Sequence, residues 1–163
     1  MTTPTRIARP YPPTFWRLRC ALERALEFRA IGWKRQANRE WAHLLIRLDA
    51  EARREVVSVA DQLAWFDRAP FALNAPVDLR LYSLRFALAH RALIDGAAKA
   101  QQVDPALVFG IIRSESAWVE DARSHADAYG LMQLLPSTAK RMAQLEGVSF
   151  VGTTALLDPP LNV

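Results

Sequence analysis

The stretch VDPALVFGIIRSESAW, residues 103–118, decides how this chain reads. Asp104 is a side-chain acceptor placed to cap a helix, and Pro105 follows at the first helical position, where its missing N–H costs nothing. Leu107 and Ile111 lie four apart, Glu115 comes four residues later, and Val108 and Ile112 form the adjacent row. Trp118 stands three residues beyond Glu115. Glu115 therefore continues an apolar stripe instead of joining the polar face. A carboxyl in that place is expected to lose water, which favours its protonated form and suits a general acid near neutral pH. The competing reading is a solvated Glu at a fraying helix end, or one paired with Arg113. Ser114 and Ser116 flank the Glu without a neighbouring His or Lys, which argues against a nucleophilic serine.

A glycosidase usually uses two carboxylates, and no partner for Glu115 is evident. Glu120 and Asp121 lie five and six residues on, turned away by roughly 140° and 240° on a helix, and Asp127 falls in a polar loop. A two-carboxylate hydrolysis is not supported by this stretch. Farther along, Gly130 suits a tight bend, and Pro136 with Ser137 and Thr138 opens another helix. Taken alone, Tyr129, Met132 and Gln133 read equally well as core and loop filler.

Working outward, the whole chain has 163 residues, 51% hydrophobic and 23% charged, enough for one domain or one and a half with a packed core. No run approaches the roughly 20 apolar residues that span a bilayer, and the first twenty residues lack the apolar core of a signal peptide. Cys20 is the single cysteine, and His43, His90 and His125 show no ligand spacing, so neither an intrachain disulfide nor a metal site is expected, unless carboxylates alone do the ligation. The net charge of +4 is uneven, because residues 1–60 hold 12 Lys+Arg against 6 Asp+Glu. A basic arm of this kind fits a polyanion partner or simply solvated helix faces. The second reading is favoured by acids interleaved at helical spacing, with Glu23 and Glu27 about Arg24 and Glu40 beside Arg35 and Arg39. No zinc-finger, homeodomain or RNA-binding signature supports nucleic acid.

The pattern is all-α. Residues 1–13 are proline-rich and extended. Thr14 is expected to cap a helix to about Ala30, stopped by Gly32. A second helix, Lys34 to Leu48, carries Ala37, Trp41, Leu44 and Leu45. A third begins at Asp49 with Ala52, Val56, Val59 and Leu63 on one stripe. Short helices and short turns have the texture of an α-solenoid, and Leu26, Trp33 and Arg35 recur at Val59, Phe66 and Arg68, an offset of 33 residues. Asn74-Ala75-Pro76 breaks the chain, and Val77 to about Ala100 reads as one or two helices with Leu79, Tyr82, Phe86, Ala89 and Leu93 apolar.

Glu115-Ser116-Ala117-Trp118, then Ser124, Gly130-Leu131-Met132-Gln133 and Pro136-x-Thr138-Ala139 resemble the soluble lytic murein transglycosylases. The eighteen-residue interval from Glu115 to Gln133 matches that family's pattern, as do Asp104-Pro105, Leu157-Asp158-Pro159 and Asn162-Val163. RALEFRAIGWKRQANREWAHLL resembles the helical hairpins that precede the catalytic domain. Asp127 stands where many members have Gly and Leu135 where many have Met; Asp tolerates left-handed backbone and Leu is similar in volume.

The resemblance implies a helical-hairpin, superhelical segment over residues 1–76. It implies the N-terminal part of a goose-type lysozyme-like catalytic domain over residues 77–163, with an Ala-Tyr-Asn segment of the family pattern expected after Val163. It implies a peptidoglycan transglycosylase that cleaves the MurNAc–GlcNAc β-1,4 bond, leaving a 1,6-anhydromuramoyl end. Glu115 would be catalytic, and Ser116, Ser124, Tyr129, Met132, Gln133 and Leu135 would bind substrate. No cofactor or metal is implied. The partner would be peptidoglycan glycan strands in the periplasm, with no nucleic acid and no membrane span. The alternative is a noncatalytic helical module that binds peptidoglycan or acts as a scaffold. Leu107, Val108, Ile111 and Trp118 are not all expected to find cover within residues 77–163, so residues 1–163 alone are expected to be inactive.

Overall fold

The computed structural model describes residues 13–163, with side chains from residue 19 onward. It divides into two compact units, one reaching Val56 and the other spanning Val57–Val163. Among the described residues there are helices and turns, no strand, and two isolated β-bridges, Arg123 with Tyr129 and Tyr129 with Leu134.

The first unit is a helical hairpin. Helix α1 (Pro13–Ala30) begins one residue before Thr14, so Thr14 lies inside the first turn instead of capping it. Gly32 stops the helix as its spacing predicts: at φ +78° it lets the Trp33 amide reach back to the Phe28 carbonyl at 2.8 Å. Helix α2 (Lys34–Leu45) ends three residues short of Leu48 and buries Ala37, Trp41 and Leu44. Leu44 and Leu48 meet Ala21 of α1 in a small core, with Leu22, Leu45, Ala52 and Val56 around it. Arg24 pairs with Glu40 at 2.8 Å instead of with its own helix, and Arg19 pairs with Glu23. Such exposed pairs add well under about 1 kcal/mol each.

Helix α3 (Ala50–Gln62) is started by Asp49, whose Oδ1 accepts the Ala52 amide at 2.9 Å. Its buried residues are Val57 and Ala60, whereas Leu63 is exposed. Residues 56–64 carry apolar side chains on two neighbouring rows, so periodicity alone does not choose between them. At the end of α3 the Gly32 turn is repeated. Ala64 takes φ +55°, and the Trp65 amide reaches the Ala60 carbonyl at 2.8 Å. Trp33 and Trp65 occupy equivalent places, so this local repeat has an offset of 32 residues, not 33.

In the second unit, residues 77–100 form the two helices their spacing allows, but short ones. A 3₁₀ turn (Pro76–Arg80), α4 (Tyr82–Arg85) and α5 (Arg91–Ala100) follow one another. His90 in left-handed geometry at φ +53° sets off α5. Leu79, Tyr82 and Phe86 are exposed, while Ala87, Ala89, Ile94 and Ala98 are buried.

Helix α6 (Pro105–Glu115) starts as its sequence dictates, with Asp104 Oδ1 accepting the Ala106 amide at 2.8 Å. The buried row, however, is Val108 and Ile112. With Ala89, Ile94, Ala98, Trp118 and Leu131 they make the main core of this unit. Leu107 is 58% exposed, Ile111 is half-buried, and Glu115 is exposed. The apolar stripe ending in Glu115 is thus not the face turned to the core. Helix α7 (Pro136–Leu145), a 3₁₀ turn (Thr153–Leu157) and α8 (Pro159–Asn162) complete the unit.

The two rows of α6 are separable by mutation. Ile112→Ala empties a fully buried site and is expected to cost about 2–5 kcal/mol, whereas Leu107→Ala should stay within about 0.5 kcal/mol. Urea unfolding followed by tryptophan fluorescence measures both. Equal losses would return Leu107 to the core.

Candidate active site at the end of α6

Glu115 is the last residue of α6. The chain then leaves the helix through Ala117 and Trp118, both left-handed at φ +48° and +71°. Two consecutive non-glycine residues in that region are strained and are held by their packing: Ala117 and Trp118 are both buried, and the Trp118 ring lies 5.8 Å from Phe109.

From there a ladder of hydrogen bonds leads to the Gly130 loop. The Val119 amide donates to the Ser116 carbonyl and the Ala122 amide to the Val119 carbonyl. The Ala122 carbonyl in turn accepts the Gly130 amide at 2.9 Å and Gln133 Nε2 at 3.3 Å. Tyr129 and Leu134 exchange both of their backbone bonds, 3.0 and 2.9 Å, closing the turn between them. Met132 packs against the Ile112 core. The helix end that carries Glu115 and the turn that carries Met132 and Gln133 are therefore built onto one another.

Gly130 has no alternative at its position. Its φ is +74°, and a Cβ there would run into the Leu156 carbonyl oxygen and the Asn162 carboxamide. Asn162 is buried and bonds to this loop: its Oδ1 accepts the Met132 amide at 2.6 Å, and its Nδ2 donates to the Tyr129 and Leu156 carbonyls. Sequence reading placed Asn162 only in a terminal motif. The signal for more was the pairing of a glycine with a distant buried amide, which spacing does not reveal.

The remaining candidates fall as follows. Ser116 is buried, and its hydroxyl donates to the Ile112 carbonyl at 3.1 Å. Ser124 Oγ accepts the Ala126 and Ala128 amides at 3.2 and 3.1 Å, so it shapes the loop. Tyr129 is buried, with the Arg123 guanidinium 5.1 Å above its ring. Leu135 is exposed. Asp127 adopts the left-handed backbone that Asp tolerates, at φ +56°. Hydrogen bonding from Arg123 holds its carboxyl below the usual aspartate range. His90 Nε2 lies 3.1 Å from Glu120 Oε1, tying the start of α5 to the segment after Glu115.

Depressions among the described residues of this unit include a cleft and a groove. A cleft of about 630 Å³ runs along the flank of α6 between Phe86, Phe109, Arg113 and Trp118 and does not include Glu115. A groove of about 480 Å³ lies between Met132, Met142, Leu161 and Asn162. Among the described residues no cluster of His, Cys, Asp and Glu is arranged to hold a metal.

This combination of fold and site defines a class. Residues 92–163 match the transglycosylase SLT domain and residues 18–75 the soluble lytic murein transglycosylase L domain. The chain belongs to the soluble lytic murein transglycosylase family. A putative soluble lytic murein transglycosylase of Haemophilus influenzae is 32% identical over 137 residues, covering 84% of this chain and 23% of that protein. The X-ray structure of an inactive mutant of the lytic transglycosylase Slt from Pseudomonas aeruginosa superposes with a TM-score of 0.80 at 32% identity. That match covers 96% of this chain and 26% of the other. The 70 kDa soluble lytic transglycosylase of Escherichia coli gives 0.78 at 26% identity, over 87% of this chain and 23% of that one. The chain thus spans about a quarter of the length of these relatives.

Gly130→Ala combines a forbidden contact with a left-handed φ, and we expect a loss of about 1–3 kcal/mol. Thermal unfolding of the variant beside Gly110→Ala, where a Cβ meets nothing within 4 Å, checks it. A Gly130→Ala melting point at or above the native one would contradict the contact.

Proposed function

We propose that this chain serves a peptidoglycan lytic transglycosylase with Glu115 as its single acid and base. The observation that carries the reading is the joining of the Glu115 helix end to the Met132–Gln133 turn, within a family whose named members are murein transglycosylases. In the proposed reaction Glu115 donates its proton to the glycosidic oxygen as the bond from C1 to that oxygen breaks. The carboxylate then takes the proton of the muramoyl 6-hydroxyl as O6 bonds to C1. The product is a 1,6-anhydromuramoyl end, and no water is consumed. Assistance from the substrate's acetamido oxygen stands in for a second carboxylate, one of the known departures from the two-carboxylate pattern.

Glu115 is exposed in this chain, so its working environment is one that bound substrate or further polypeptide has to enclose. Ser116, Ser124 and Gln133 hold substrate or orient the Glu, Tyr129 contributes to substrate binding, and Met132 and Leu135 line the glycan-binding surface. Residues 1–76 supply the helical-hairpin segment and residues 77–163 the lysozyme-like part, a division that the two matched ranges support. The partner is the glycan strand of peptidoglycan and the place of action the bacterial cell envelope, on its periplasmic side. Among the described residues no helix is long and apolar enough to cross a membrane.

The exposure of Glu115 and Leu107 favours a second reading for the chain by itself, a helical module that binds glycan without cutting it. One experiment separates the two. Murein sacculi incubated with a full-length enzyme that carries this chain and analysed by muropeptide chromatography should yield 1,6-anhydro products, and Glu115→Gln in it should abolish them with the fold intact. Co-sedimentation with sacculi and no anhydro product would select the binding module. Undiminished product from Glu115→Gln would end the catalytic assignment.

A further inference from the structure

Two backbone groups of the site turn and one of the Thr153–Leu157 turn converge on one side chain outside both. Asn162 Oδ1 takes the Met132 amide, and Nδ2 gives its two protons to Tyr129 and Leu156 carbonyls. Asn162 is 3% exposed, so its carboxamide makes these bonds in place of water and losing one strands a buried polar group. The turn has little other choice of position, since Gly130 sits directly against the same carboxamide.

The turn in its turn fixes Gln133. Gln133 has a left-handed backbone at φ +49°, and its Nε2 donates to the Gly130 carbonyl at 2.9 Å and the Ala122 carbonyl at 3.3 Å. Both partners are acceptors, so the amide has only one sensible orientation, nitrogen inward. The carbonyl oxygen remains as the end available to a ligand, and it is an acceptor only.

We propose that Asn162 is a positioning residue for glycan recognition: by fastening the Tyr129–Gln133 turn it presents the Gln133 carbonyl oxygen, so that this position reads a donor. The group read is a sugar hydroxyl or an acetamido N–H, and never an acetamido carbonyl. This rests on the glycan reading proposed above.

The test uses the chain as it stands, with Asn162→Ser and the isosteric Asn162→Asp, which keeps the acceptor for Met132 and loses both donors. Amide exchange by NMR reads the latch directly. The Met132 amide in Asn162→Ser and the Gln133 side-chain amide in both variants should exchange at least about tenfold faster. The amides of Ile94 and Ile112 should keep their native protection. Binding of a GlcNAc–MurNAc tetrasaccharide then reads the role. Gln133→Ala should weaken it, Asn162→Ser should weaken it comparably, and the double variant should be no weaker than Gln133→Ala alone. A purely structural Asn162 would give losses that add. Additive losses, or unchanged Gln133 exchange, overturn the positioning role. Native tetrasaccharide binding that is absent, with the exchange result as expected, overturns the glycan reading and leaves the latch standing.

Discussion

The arrangement of this site depends on a close approach between two backbones that only glycine permits. Gly130 lies against the Leu156 carbonyl and the Asn162 carboxamide, with no room for a side chain. From that contact follow the Tyr129–Leu134 closure, the seating of Met132 on the Ile112 core and the Gln133 amide bonded to Ala122 and Gly130. None of these bonds is individually large. A typical one contributes about 1 kcal/mol net, but they share one geometry, so they form together.

The core beneath the site is small and well defined. Ile94, Ile112 and Leu131 are fully buried and come from α5, α6 and the Gly130 loop, three segments far apart in sequence. Their packing joins the C-terminal half of α6 to the loop, and the bonds through Val119 and Ala122 link the residue after Glu115 to Gly130 and Gln133. The opposite flank of α6 is open, with Leu107 and the cleft beside Phe109 and Arg113 uncovered. The helix is therefore apolar on more of its circumference than its own unit buries.

Much of this was legible in the residues. Asp104-Pro105 announced the start of α6 and Gly32 the end of α1, because caps act through the local backbone. Asp127 was readable as a left-handed residue for the same reason. The buried side of α6 was not legible. Leu107–Ile111 and Val108–Ile112 are equally apolar rows, and only tertiary contact selects the second. The same ambiguity moved the buried side of α3 to Val57 and Ala60. The segment from Val77 to Ala100 showed its two helices but not which of its apolar side chains are buried. Its apolar spacing is helical, yet His90 in left-handed geometry interrupts it and leaves Tyr82 and Phe86 outside. Asn162 was legible as part of a terminal motif, but not its role, because its partners Tyr129 and Met132 lie some thirty residues away.

The central claim is that the end of α6 and the Gly130 loop form one surface for a glycan strand. Mapping of backbone NMR shifts on titrating the chain with a GlcNAc–MurNAc tetrasaccharide addresses it most directly. The account predicts that the perturbed amides gather at Glu115–Ser116, Ser124 and Tyr129–Gln133. Perturbations confined to the cleft between Phe86, Phe109 and Arg113, with those residues silent, would contradict it.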